Sequence, residues 1–287
     1  MKKSLIRTIA VSLIAASFFS VTTSRPAEAN EFGLIGKKGS YNQTTAILWY
    51  LNAFIDRPYD QMPDAVTSVE NHWCAAFTKH LLGEKSNDFN SVALTKNIFD
   101  TRGRYHSRED YHPQIGDLIL YEESVPPIND GPDHIGVVVD VKTINGEDYP
   151  STIEGNYFDI NCSDEAIQKI SYEDYRQLSN ANKYETRRVG YVPSNRVRRH
   201  MIEGYIELDR TMIEYTYGDV NADGKINMTD AFMILDAVLQ KDLDDGLLKE
   251  TRAENLSAPE YYYRMDVNGD RKVSQVDATL ILRYLVR

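Results

Sequence analysis

The chain has 287 residues, 42% hydrophobic and 26% charged, with 43 acidic against 32 basic side chains and a formal net charge of −11. That balance excludes the basic face a nucleic-acid binder needs, and the length suits one medium domain plus a smaller one. The only cysteines, Cys74 and Cys162, allow one disulfide at most.

The first 29 residues read as a signal peptide. Lys2, Lys3 and Arg7 supply the positive start, Ile9 to Phe19 the apolar core, and Ala27-Glu28-Ala29 a small-residue cleavage point before Asn30. The apolar run is short for a bilayer-spanning helix, and no other segment is suited to crossing a membrane. The expected location is therefore extracellular, with no membrane partner after cleavage. Removing Lys2, Lys3, Arg7, Arg25 and Glu28 leaves 28 basic and 42 acidic residues, a net charge of −14.

Residues 43–57 have the apolar spacing of a helix, and so does the stretch Trp73 to Leu82. Ser68 or Asn71 would cap the second helix and place Cys74 in its first turn. The positive end of a helix favours a thiolate, the nucleophilic form of cysteine. Short β-type runs follow at 117–121, 134–141, 151–154 and 188–192, separated by turn residues. Helices followed by strands predict an α+β domain with a small antiparallel sheet.

His134 opens the apolar run Ile135 to Val139, and Glu154-Gly155-Asn156 ends the next one. A base at a strand mouth is placed to meet a helix N-terminus. Either Glu154 or Asn156 can bond its far ring nitrogen, fix the tautomer and stabilise the imidazolium. His72, His80, His106, His112 and His200 read as surface or packing residues. In an exported protein a Cys74–Cys162 disulfide is the default, and the setting of Cys74 argues against it. Cys162 reads equally as a packing residue or a redox partner.

Four elements in order carry a family resemblance: Trp73-Cys74-Ala75-Ala76-Phe77, Pro113-Gln114-Ile115-Gly116-Asp117, Asp133-His134-Ile135-Gly136 and Ile153-Glu154-Gly155-Asn156. Residues 40–195 thereby resemble a CHAP domain, a cysteine- and histidine-dependent amidohydrolase/peptidase of the papain-like superfamily. The resemblance implies helices packed on a small antiparallel sheet. It also implies Cys74 as nucleophile, His134 as general base, and Glu154 and Asn156 as orienting or polarising groups. The implied substrate is peptidoglycan, cut at the muramoyl–alanine amide or at a peptide cross-bridge.

Near the C-terminus a twelve-residue pattern occurs twice, starting at Asp219 and Asp266. Oxygen-bearing side chains stand at positions 1, 3, 5, 9 and 12: Asp219, Asn221, Asp223, Asn227 and Asp230, then Asp266, Asn268, Asp270, Ser274 and Asp277. At position 7, Lys225 and Lys272 offer their backbone carbonyls. A hard cation with six to eight oxygen ligands wants such an array, which predicts two structural calcium ions. Arg271 stands at position 6 of the second loop, where glycine takes the sharp turn, and should weaken that site. No helical stretch precedes the first loop, and each loop runs forward into an apolar helix.

A duplicated loop–helix unit resembles a type I dockerin, which implies a small all-α calcium module over 214–287 that plugs into a cohesin domain of a cellulosome scaffold. Residues 196–213 are then the expected linker, and about 241–263 a long connection between the repeats. Cohesin contact is implied at positions 10 and 11, Met228-Thr229 and Gln275-Val276. These differ between the copies, which points to one docking orientation. The leading expectation is a wall-degrading cysteine amidase or endopeptidase tethered to a scaffold. Its alternatives are a scaffold-borne protease acting on proteins and a non-catalytic binding module. A glycoside hydrolase is not expected, because the elements that would supply its paired carboxylates are accounted for by the cysteine reading.

Overall fold

The computed structural model describes residues 32–68, 73–83, 91–123, 131–240 and 257–287. The expected signal peptide, the Asn71 cap, His72 and most of the connection between the repeats lie outside them. In chain order the elements are β1 (Lys38–Tyr41), α1 (Gln43–Leu51), α2 (Trp73–Leu82), α3 (Val92–Thr101), β2 (Tyr105–Ser107), β3 (Leu118–Tyr121), β4 (His134–Ile144) and β5 (Glu147–Tyr157). Then come α4 (Tyr172–Ala181), β6 (Arg188–Val192), β7 (Ile202–Ile206), β8 (Ile213–Thr216), α5 (Met228–Gln240), α6 (Ala258–Met265) and α7 (Gln275–Leu285). The described residues form two units: 51–80 with 91–209, and 32–50 with 81–83 and 210–287.

The first unit is built on a six-stranded sheet in the order β2-β7-β3-β4-β5-β6, antiparallel throughout. β4 and β5 run farther than their apolar stretches, because Asn145 (φ 54°) and Gly146 (φ 83°) join them in a tight hairpin. The apolar half of β4 is buried and its distal half exposed. Ile119, Tyr121, Val138 and Val192 of the sheet pack with Phe158, Tyr175, Val197, Met201, Ile202 and Tyr205 into one core.

The sheet corrects the expected linker. Residues 202–206 form an interior strand, β7, with Leu118 opposite Ile206 and Tyr105 opposite the same residue on the other side. Ile202, Gly204, Tyr205 and Ile206 are buried. Such apolar content is what an interior strand needs and a linker does not. The first helix also ends earlier than expected, at Leu51 rather than near 57. Asp56 adopts φ 64° and gives its backbone N–H to the Val189 carbonyl of β6 at 2.9 Å, so the chain turns to meet the sheet.

The second unit corrects the expected boundary and the all-α description. Residues 40–50, expected in the catalytic domain, belong here, and β1 pairs antiparallel with β8. In the connection between the repeats, α6 leads into the second loop, with Ser257 and Glu260 forming a reciprocal capping box. As expected, α5 and α7 follow the two loops. Among the described residues no helix is long and apolar enough to cross a membrane.

Candidate active site

α2 begins at Trp73, so Cys74 sits in its first turn as expected. Trp73, Cys74 and Phe77 are each no more than 1% exposed. Phe77 fixes the helix against β5: a Cβ on Gly155 would stand 2.8 Å from the Phe77 ring, so only glycine permits this approach. His134 is the first residue of β4, opposite Tyr121 of β3. The Cys74 side chain is close enough to the His134 ring to favour its protonated form. The Cys74 sulfur also lies 4.0 Å from the Asp133 carbonyl oxygen. The two residues expected from the sequence to act as nucleophile and base thus lie together, and both are buried.

The other side of the ring meets Glu154, whose Oε2 lies 3.0 Å from His134 Nε2. Glu154 reaches the ring across Gly136, where a Cβ would come within 2.8 Å of its Cγ. Its Oε1 accepts hydrogen bonds from Tyr121 Oη at 2.9 Å and Thr152 Oγ1 at 2.7 Å. Asn156 is buried nearby, with φ 59° at the irregularity where β5 breaks register with β6. Of the two residues left open by the sequence, Glu154 is the one that holds the imidazole.

Three further charges surround this pair. Arg198 donates to Glu123 Oε1 at 2.7 Å and lies 3.6 Å from Glu154 Oε2. Its guanidinium also lies over the rings of Tyr121 and Tyr175. Arg187 acts electrostatically on both Cys74 and Glu123. A buried carboxylate costs several kcal/mol unless its oxygens are paired, and here every Glu154 oxygen has partners. Burial opposes ionisation of Glu154, yet Arg198 and His134 carry its carboxyl down from 4.5 to about 2. Burial likewise opposes protonation of His134. Glu123, with the bonds to Cys74 and Glu154, still raises the imidazolium well above its usual 6.5.

The remaining histidines lie elsewhere among the described residues. His80 sits edge-on to Phe54, His106 stacks on Tyr111, His112 pairs with Asp148, and His200 meets the Ile170 carbonyl. Cys74 and Cys162 are both free thiols, so no disulfide joins them. The network residues Glu123, Tyr121, Thr152 and Arg198 were not singled out from the sequence. Thr152 alone left a signal, standing two residues before Glu154 on an alternating strand.

The two C-terminal loops repeat one geometry. Asp219 Oδ2 accepts from Gly224 N at 3.2 Å, and Asp266 Oδ2 from Arg271 N at 3.1 Å. Asn221 Oδ1 accepts from Asp223 N, and Asn268 Oδ1 from Asp270 N. Asp223 and Asp270 accept from Lys225 N and Lys272 N. The position-12 carboxylates, Asp230 and Asp277, are fully buried and take backbone N–H groups at Val220, Asn221 and Asn227, and at Val267, Asn268 and Ser274. Arg271 holds φ 71° at position 6, a conformation costing a residue with a Cβ about 1 kcal/mol.

The first loop fits a cation: Asp219 Oδ1 is buried without a hydrogen-bond partner, while its other oxygen is spent on the loop. No cage of three or more His, Cys, Asp or Glu side chains is gathered among the described residues. The three aspartates of each loop are instead engaged with backbone N–H groups. Residues 217–286 match the family model of the type I dockerin domain. No curated protein and no solved structure matches the chain.

The depressed carboxyl of Glu154 makes a stability prediction with a definite sign. Its contribution is complete above pH 4.5, the unfolded value, and is lost as pH falls through about 2. Urea unfolding of wild type and Glu154→Gln should differ by roughly 3 kcal/mol above pH 4.5. The difference should shrink steadily toward pH 2. A gap independent of pH would contradict the network described here.

Proposed function

We propose that residues 51–209 form a cysteine hydrolase of the CHAP, papain-like kind, exported and held on a cohesin-bearing scaffold by a C-terminal dockerin. One observation carries the catalytic half: the buried Cys74 side chain beside the His134 ring, with Glu154 bonded to its Nε2 at 3.0 Å. Nucleophile, base and orienter in that sequence are what acyl transfer through a thiol requires.

His134 takes the proton of Cys74, and the sulfur attacks an amide carbonyl. Backbone N–H groups at the start of α2, that of Cys74 included, are the donors for the oxyanion. The ring then returns the proton to the departing amine, and water hydrolyses the thioester. Glu154 keeps Nε2 engaged through both steps, so the imidazolium forms without turning. Because Cys74 and His134 are buried, their charges act in a medium of low dielectric. An amide of peptidoglycan is the substrate class, at the muramoyl–alanine bond or in a cross-bridge.

Dockerin domains bind cohesin domains, and the match at 217–286 supports that partner. Calcium, when bound, supplies the positive charge that gathers the loop oxygens. Asp219, Asn221, Asp223, Asn227 and Asp230 would hold one ion with the Lys225 carbonyl. Asp266, Asn268, Asp270, Ser274 and Asp277 would hold the other with the Lys272 carbonyl. The helices after the loops present unlike faces. On α5, Met228 and Phe232, one turn apart, are 48% and 46% exposed, and their counterparts on α7 are the polar Gln275 and Thr279. Buried apolar anchors carry most interface energy, so α5 is the docking helix and one orientation prevails.

Two outcomes are expected. Purified wild type should release amide-cleavage fragments from peptidoglycan, read by mass spectrometry, and Cys74→Ala should release at least a thousandfold less. Equal release by both proteins would end the hydrolase reading, while cleavage of casein but not of walls would make the substrate protein. Against a cohesin, Met228→Ala/Phe232→Ala should weaken binding about tenfold or more. Gln275→Ala/Thr279→Ala should change it little, and equal losses would contradict a single orientation.

A further inference from the structure

Arg198 lies outside the catalytic roles assigned so far, yet it is almost fully buried at 2% exposure. It bridges Glu123, at 2.7 Å, to Glu154, at 3.6 Å, between two tyrosine rings. Among the described residues, the other groups facing Glu154 either need its negative charge (His134) or are neutral (Tyr121, Thr152, Tyr157, and Tyr175 beyond the guanidinium). Arg187 acts on Glu123 and Cys74. We propose that Arg198 is a positioning residue of the site: its permanent charge keeps Glu154 ionised, so that Glu154 can hold His134 in the protonated, oriented state. Without it, a carboxyl buried against tyrosines takes up a proton, and the ring loses the anion that stabilises its positive charge.

This inference rests on the Cys74–His134 reading and is tested by a readout that needs no substrate, the pH dependence of Cys74 alkylation by iodoacetamide. In wild type the rate should hold through slightly acidic pH. In Arg198→Met it should fall about tenfold at pH 6 and recover only toward alkaline pH, with Arg198→Lys in between. Should Arg198→Met not fold, Arg198→Met/Glu123→Gln removes a buried pair together, a change proteins often tolerate. Read against Glu123→Gln alone, it should show the same loss. A folded variant with the wild-type profile overturns the proposal. If His134→Ala leaves the wild-type rate unchanged, the hydrolase reading itself fails.

A separate set of contacts carries a second inference. Residues 32–50 complete the C-terminal unit at the edges of both loops. β1 pairs with β8, which ends three residues before Asp219. Gly36 N bonds the Tyr217 carbonyl at 2.8 Å, and Leu34 N bonds the carbonyl of Val267, inside the second loop, at 2.8 Å. Arg264 joins Tyr41 Oη to the Asp219 carbonyl, both at 3.3 Å. Leu34, Tyr41, Ala46 and Trp49 share a core with Tyr215, Tyr217 and Tyr263.

We infer that calcium in the loops orders residues 32–50, so that the module reaches back to a segment more than 160 residues upstream. The physical link is short. A ligand that binds only the folded loops stabilises whatever folds with them, and a two-stranded sheet is marginal by itself. The inference rests on the calcium reading of the loops, and hydrogen exchange of the full chain, with calcium and with EGTA, separates the two. Peptides spanning 34–50 should lose protection by about tenfold or more together with 214–230 and 263–280, while 134–144 keep theirs. Loops that open while 34–50 stay protected would overturn the coupling. Loops indifferent to EGTA would overturn it and the calcium reading together.

Discussion

The bond from His134 to Glu154 is the constraint around which the first unit is arranged. It joins adjacent strands through side chains, at 3.0 Å and in full burial, so neither partner tolerates solitude. An unpaired charge there would cost more than most single contacts return. The neighbours follow from that demand. Tyr121 and Thr152 fill the second oxygen of Glu154, and Gly136 leaves the space its side chain crosses. Gly155, next along the strand, lets Phe77 and with it the start of α2 come close enough to bring Cys74 to the ring.

The same economy appears in the second unit, where buried carboxylates again close a structure. Asp230 and Asp277 each gather backbone N–H groups from both ends of their loops, and burial pushes both up to about 6. One side-chain oxygen of Asp219 is left without a hydrogen bond, the feature on which the proposed calcium reading rests. The two units therefore use acidic side chains differently: one pairs them with arginine and histidine, the other with backbone N–H groups.

Local chemistry was legible in the sequence, and long-range chemistry was not. The span of α2, the start of β4 at His134 and the two loop–helix repeats follow from apolar spacing, a change of period and a fixed ladder of oxygens. The choice between Glu154 and Asn156 was left open because alternation put both on one face. The irregularity after Glu154 breaks that alternation, and only the folded strand reveals it. Arg198 and β7 lie in a stretch that reads as linker, since its strand is short and its partners, β2 and β3, are about 80 residues or more away. Residues 40–50 were grouped with the catalytic domain for the same reason: their partners, Tyr215 and Tyr263, lie at the far end of the chain.

Burial and reactivity make opposite claims about the two thiols, and that opposition gives the most direct test. Cys74 is 1% exposed, whereas Cys162 is half-buried, so access alone would have Cys162 react first. Native protein should be treated briefly with iodoacetamide at neutral pH and mapped by mass spectrometry. The account predicts that Cys74 is labelled ahead of Cys162, and that replacing the imidazole at 134 by alanine reverses the order. Labelling of Cys162 first in the wild type, with Cys74 reached only in denaturant, would contradict it.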